Sequence, residues 1–65
     1  MSNSRLFEIL YYLLEHKQTT ADTLANYFEV SKRTIYRDIQ RLIMMNFPIY
    51  CKNGYDGGIY IDNDF

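Results

Sequence analysis

Ser31-Lys32-Arg33-Thr34-Ile35-Tyr36-Arg37-Asp38-Ile39-Gln40-Arg41-Leu42 is the stretch from which the rest of the chain can be read. Ser31 is a good helix N-cap, because its side-chain oxygen can accept from a backbone N–H that lacks an intrahelical partner. Ile35, Ile39, Leu42 and Ile43 then recur at helical spacing, and the stripe continues through Asn46-Phe47, so the pattern predicts a helix over about 31 to 46. On a wheel of about 100° per residue the opposite arc holds Arg33, Tyr36, Arg37 and Gln40, flanked by Thr34 and Arg41. Asp38 lies beside the apolar stripe and is expected to pair either with Arg41, three residues on, or with Arg5 across an interface. If exposed, such a pair contributes little.

Upstream, Thr19-Thr20 precedes a short amphipathic segment, Ala21 to Phe28, in which Ala21, Leu24, Ala25 and Phe28 share one face. Only Glu29-Val30-Ser31 separates it from the next helix, too few residues for a floppy linker. Two helices joined so tightly, with small Ala25 permitting close approach, read as a helix-turn-helix. Nearer the N-terminus, Leu6, Ile9, Leu10, Leu13 and Leu14 mark another amphipathic helix starting near Arg5, with Asn3 or Ser4 as candidate caps and His16-Lys17-Gln18 closing it. Tyr11 and Tyr12 flank its stripe and are expected to be half-buried, although an exposed tyrosine here could serve a dimer contact.

Downstream the period changes. Phe47-Pro48 ends the helical pattern, since the residue before proline avoids helical angles. Ile49 to Lys52 and Gly58 to Ile61 are rich in β-branched and aromatic residues, and Asn53 to Gly57 supplies turn chemistry, so a β-hairpin is expected. Its apolar side, with Ile49, Cys51, Ile59 and Ile61 as candidates, would cover the core left open by the first and third helices. Three helices followed by a hairpin define an α+β fold of the small winged helix-turn-helix kind, in one domain covering residues 1–65.

The whole-chain numbers fit one small domain. Sixty-five residues, 48% hydrophobic and 17% aromatic, argue for a compact fold over disorder. A chain of this length buries only about 60% of its unfolded surface, so a large active-site cleft is not expected. The formal net charge is -1, yet its distribution is uneven. Residues 31 to 41 hold Lys32, Arg33, Arg37 and Arg41 against Asp38, giving +3, while residues 1 to 30 sum to -2 and 42 to 65 to -2. A concentrated basic stretch is what phosphate binding requires, although a solvated helix face looks the same from charge alone.

Catalysis is not expected. The chain has one His, one Cys and scattered carboxylates, and Gly54, Gly57 and Gly58 lie in a hairpin without a following helix to cradle a phosphate. No cofactor and no metal are expected. Cys51 alone forms no internal disulfide or Cys cluster and suits a reducing compartment. No apolar run approaches the roughly 18 residues that span a bilayer, and Met1 to Arg5 lead straight into a helix without a secretory pattern. A cytoplasmic protein without membrane attachment is expected.

The outward arc has the chemistry of a DNA groove reader. Arg can donate two parallel hydrogen bonds to guanine O6 and N7, Gln can pair with adenine N6 and N7, and Tyr can meet a thymine methyl or a phosphate oxygen. Ser31, Lys32 and Thr34 sit at the helix N-terminus, where free amides and the dipole favour a phosphate. Lys52, Asn53 and Tyr55 lie near the hairpin tip, within reach of an adjacent minor groove or backbone, although Asp56 among them would repel phosphate. Double-stranded DNA is thus the expected partner, with Ser31, Lys32, Arg33, Thr34, Tyr36, Arg37, Gln40, Arg41, Lys52 and Asn53 as candidate contacts. The rival reading is a winged helix for protein contact, or for RNA or shape recognition. Protein contact would call for an apolar outward face, whereas this one carries arginines.

The string Ser31-x-Arg33-Thr34-Ile35-Tyr36-Arg37-Asp38-Ile39, followed by Leu42 and a Gly57-Gly58 hairpin, resembles the recognition helix of DeoR-type and WYL-type bacterial transcription regulators. The likeness runs from Arg5 to about Ile61. It implies a sequence-specific DNA-binding module at the N-terminus of a longer regulator, joined to a C-terminal effector-sensing domain through which it works as an oligomer. On the matching positions it puts Arg33, Thr34, Tyr36 and Arg37 at DNA. Two positions depart from the pattern: Glu29 where such turns often have Gly or Asn, and Ile59 where Tyr is usual.

Overall fold

Apolar spacing in the first sixteen residues produces the longest element of the computed structural model, which describes residues 2–52 and 58–62. Helix α1 spans Ser2–His16, β1 Gln18–Thr20, α2 Ala21–Phe28, α3 Lys32–Met44, β2 Ile49–Cys51 and β3 Gly58–Ile61. The three helices and the antiparallel sheet form the α+β winged helix-turn-helix arrangement. Buried side chains from every helix and both hairpin strands meet in one core, among them Ile9, Leu13, Leu24, Ile35, Ile39, Leu42 and Ile59, all without solvent exposure.

Four expectations need correction. Helix α1 begins at Ser2, so Asn3 and Ser4 lie inside its first turn and do not cap it; this turn holds the backbone of Arg5 in helical form. Helix α3 stops at Met44, not 46, because Met45 and Asn46 tighten into a turn in which Met45 N–H reaches Arg41 and Leu42 carbonyls and Asn46 N–H reaches Ile43. Tyr11 is 69% exposed, its ring lying outside the apolar stripe, while Tyr12 is half-buried as expected. Cys51 is exposed too: it shares a face with buried Ile49 but ends its strand, beyond the cover of the core. Partial desolvation nevertheless pushes its thiol pKa up.

Strand β1 is an addition to the expected hairpin. It pairs antiparallel with β3, Gln18 opposite Tyr60 and Thr20 opposite Gly58, while β2 pairs with the other edge of β3, Ile49 opposite Ile61 and Cys51 opposite Ile59. The order is therefore β1-β3-β2. Alternation in β3 buries Ile59 and Ile61 and turns Tyr60 to the other face, where it stacks on Tyr50 at 5.5 Å between ring centroids. The Tyr60 ring lies over Gly58 so closely that a Cβ there would fall 2.5 Å from it, so any larger residue would oblige the ring to shift off its place beside Tyr50.

Each helix ends on a left-handed, non-glycine residue: Lys17 (φ 71°), Glu29 (φ 58°) and Asn46 (φ 71°). The reversal lets late N–H groups close back on the helix, as when Glu29 and Val30 both donate to the Ala25 carbonyl. For Lys and Glu this conformation costs about 1 kcal/mol or more. Leu24 and Ala25, in the last turns of α2, are buried in the core.

Candidate nucleic-acid interface

The turn between α2 and α3 sets where the basic stretch emerges. Thr20 caps α2, accepting from Thr23 N–H at 3.1 Å, and Ser31 caps α3, accepting from Thr34 N–H at 3.2 Å. Ser31 Oγ and Thr34 Oγ1 also lie 3.2 Å apart, so the first turn of α3 is locked by its own hydroxyls. Cap and reversed Glu29 together set the direction in which α3, a helix of 13 residues and about 20 Å, leaves the turn.

The inward face of α3 carries Ile35, Ile39 and Leu42, all fully buried, and with them Asp38, also 0% exposed. Arg5 of α1 reaches Asp38 as a fork: its Nε donates to Oδ2 and its Nη2 lies 3.5 Å from Oδ1. Of the two partners considered from sequence, Arg5 is the one that forms this bond, and the pair is buried on the Asp38 side, with 27% of the Arg5 side chain still in solvent. The hydrogen bond to Asp38 raises the Arg5 pKa further above its ordinary value, against an opposing push from burial. Sequence spacing alone treated Asp38 as flanking the core, whereas it lies within it.

The outward arc is open. Arg33, Arg37, Gln40 and Arg41 are exposed, Tyr36 is 44% exposed, and Thr34 is half-buried beside its cap. Ser31 and Lys32 are exposed at the N-terminus, and Lys32 Nζ lies 3.4 Å from Asp22 of α2. Both ends of that ion pair are largely in water, where such pairs contribute about 0 to 1 kcal/mol, so a phosphate can compete for Lys32. The guanidiniums of Arg33 and Arg37 are neither turned inward nor covered by the hairpin strands. Because Asp38 is withdrawn into the core, α3 contributes no carboxylate of its own to its solvent face, where Asp22 of α2 lies against Lys32.

On the sheet, Lys52 is exposed and holds its Nζ 5.1 Å from the Tyr60 ring centroid. Asn53, the other candidate at the wing, and Tyr55 lie outside the described residues. Sequence reasoning passed over Tyr50 and Tyr60, which with Lys52 form one aromatic and cationic edge of the wing. The signal was the period-2 alternation itself, since burying Ile49, Ile59 and Ile61 obliges Tyr50 and Tyr60 to take the opposite face. A second exposed aromatic surface lies between α1 and α2, in a recess of about 210 Å³ lined by Glu8, Tyr11, Tyr12, Glu15 and Tyr27. Its carboxylates make it unsuited to a polyanion.

A tightly turned pair of helices, with a capped basic second member and a β-wing beside it, defines a helix-turn-helix domain. Comparison with known proteins agrees: the family model described as an HTH domain matches residues 5–60, and the chain belongs to that family of DNA-binding helix-turn-helix domains. It is also similar to YobV of Bacillus subtilis (strain 168), an uncharacterised HTH-type transcriptional regulator. The two are 44% identical over 61 residues, which cover 94% of this chain and 20% of YobV. The chain thus spans about a fifth of the length of the curated relative it matches. No solved structure matches it. Among the described residues, no helix is long and apolar enough to cross a membrane.

Proposed function

We propose that this domain binds double-stranded DNA sequence-specifically, as the N-terminal reading head of a bacterial transcription regulator of the DeoR or WYL type. The observation that carries the reading is the shared outward projection of Arg33, Tyr36, Arg37 and Gln40 from a helix whose other face is anchored in the core. Helix α3 enters the major groove, where Arg33 and Arg37 supply bidentate donors to base edges, Gln40 offers one donor and one acceptor to an adenine, and Tyr36 borders them. Ser31, Lys32, Thr34 and Arg41 meet the flanking phosphates and set register without reading sequence. Lys52, and Asn53 beyond it, bring the wing to the backbone or the adjacent minor groove.

The similarity to a regulator about five times as long supports a larger protein in which a C-terminal effector domain pairs two such heads. Two heads multiply weak individual affinities, which a domain of this size needs. The role is one of binding, without catalysis, inside the cytoplasm.

Selection of duplexes from a random pool, scored at two salt concentrations, tests the proposal. With about four to six phosphate contacts, log affinity should fall against log salt with a slope of about −4 to −5. A flat response, or a pool that never converges on a sequence, overturns it.

A further inference from the structure

We propose that the Arg5–Asp38 pair is a positioning device, fixing the rotation of α3 about its own axis and thereby the sequence discrimination of its outward arginines. The inference rests on the DNA-binding reading above. Among the described residues, Asp38 is the one polar side chain on the buried face of α3. Its neighbours there, Ile35, Ile39 and Leu42, are held by burial, a force without direction. Packing resists both the loss of that stripe from the core and its turning, but small turns can be taken up by rotamer adjustment because no bond of fixed direction is broken. A charge-assisted fork does have direction: the Arg5 Nε and Nη2 each face a different Asp38 oxygen.

The geometry shows why small rotations matter. A side-chain head about 6 Å from the axis moves about 2 Å when its helix turns by about 20°. Successive bases on one strand lie about 3.4 Å apart, and hydrogen bonds fade within a few tenths of an ångström beyond about 3.2 Å. Phosphate attraction depends on charge and tolerates that displacement, whereas bidentate base contacts do not. Loss of the fork should therefore reduce discrimination while leaving non-specific affinity nearly intact. Arg5 is anchored on α1, outside the helix-turn-helix, so the reference for this alignment is the scaffold and not the reading unit.

The test is Arg5→Met combined with Asp38→Leu, a pair that leaves net charge unchanged and replaces a buried ion pair with apolar side chains, a change often neutral or stabilising. The ratio of affinities for the selected and a scrambled duplex should fall at least tenfold, with scrambled-duplex affinity within about twofold of the unmodified domain. A ratio kept within twofold overturns the proposal. Arg5→Lys, which keeps the charge and loses the fork, should give an intermediate ratio, and it carries the test should the double variant not fold. In the absence of DNA, amide resonances of Arg33 to Gln40 should broaden by microsecond-to-millisecond exchange in these variants; unbroadened signals overturn it. If the unmodified domain itself shows no preference among sequences, the DNA-reading proposal falls, and the resonance measurement alone decides the positioning role.

Discussion

Two of the exposed surfaces of this domain present tyrosine and differ in the charges that surround it. On α3, Tyr36 stands among Arg33, Arg37 and Gln40; between α1 and α2, Tyr11, Tyr12 and Tyr27 line a recess with Glu8 and Glu15. The rings are alike in size and both surfaces are open to water. What separates them is the field: a polyanion is attracted to the first and repelled by the second, at separations up to a Debye length of about 8 Å. Arg5–Asp38 ties the two regions together, one end on α1 and the other inside α3.

The largest effect expected from breaking that arrangement is Arg5→Met alone. It leaves the fully buried Asp38 carboxylate without its partner and should cost about 3 kcal/mol, the lower end for a broken buried pair because Arg5 is partly solvated. In so small a domain, thermal denaturation should show a fall in midpoint of more than 10 °C. Next is Arg37→Ala, which should cost about 1 to 3 kcal/mol on the preferred duplex and much less on scrambled DNA. Lys52→Ala, by contrast, should weaken every duplex alike and reduce the salt slope by about 1; titrations on two sequences separate these, and equal losses for both variants would erase the division between base reading and phosphate holding.

Smaller again is the response to Glu8→Gln with Glu15→Gln. If the two surfaces act independently, preference among sequences stays unchanged and affinity rises slightly at low salt, a gain that vanishes at high salt. A change in preference would show that the α1–α2 surface takes part in reading. Glu29→Gly relieves the left-handed turn and should stabilise by about 0.5 to 1 kcal/mol, since glycine carries no penalty at φ 58° while losing more entropy on folding. An unchanged melting temperature would mean that the strain relieved does no more than offset the entropy that glycine loses.

Much of this was legible in the chain. Ser31 at the start of an Ile35-Ile39-Leu42 stripe predicted both the cap and the anchored face of α3, and so the outward arc, because both depend on contacts within a few residues. The hairpin strands were legible from β-branched and aromatic runs. Strand β1 was not: three residues, Gln18 to Thr20, become a strand only because β3 offers an edge, and its partners lie some forty residues away. Cys51 misled for a related reason, since its place on the apolar side of β2 says nothing about whether the core reaches that far.

The amino-acid order by itself determined the three helices, the caps of α2 and α3 and the segregation of arginines to one side of α3, since helical periodicity is a local property. Tertiary structure alone decided which partner Asp38 takes, that its carboxylate lies wholly out of solvent, and that Tyr50 and Tyr60 stack beside Lys52. Those outcomes depend on how separate elements meet, and spacing along a chain carries no distance between its remote parts.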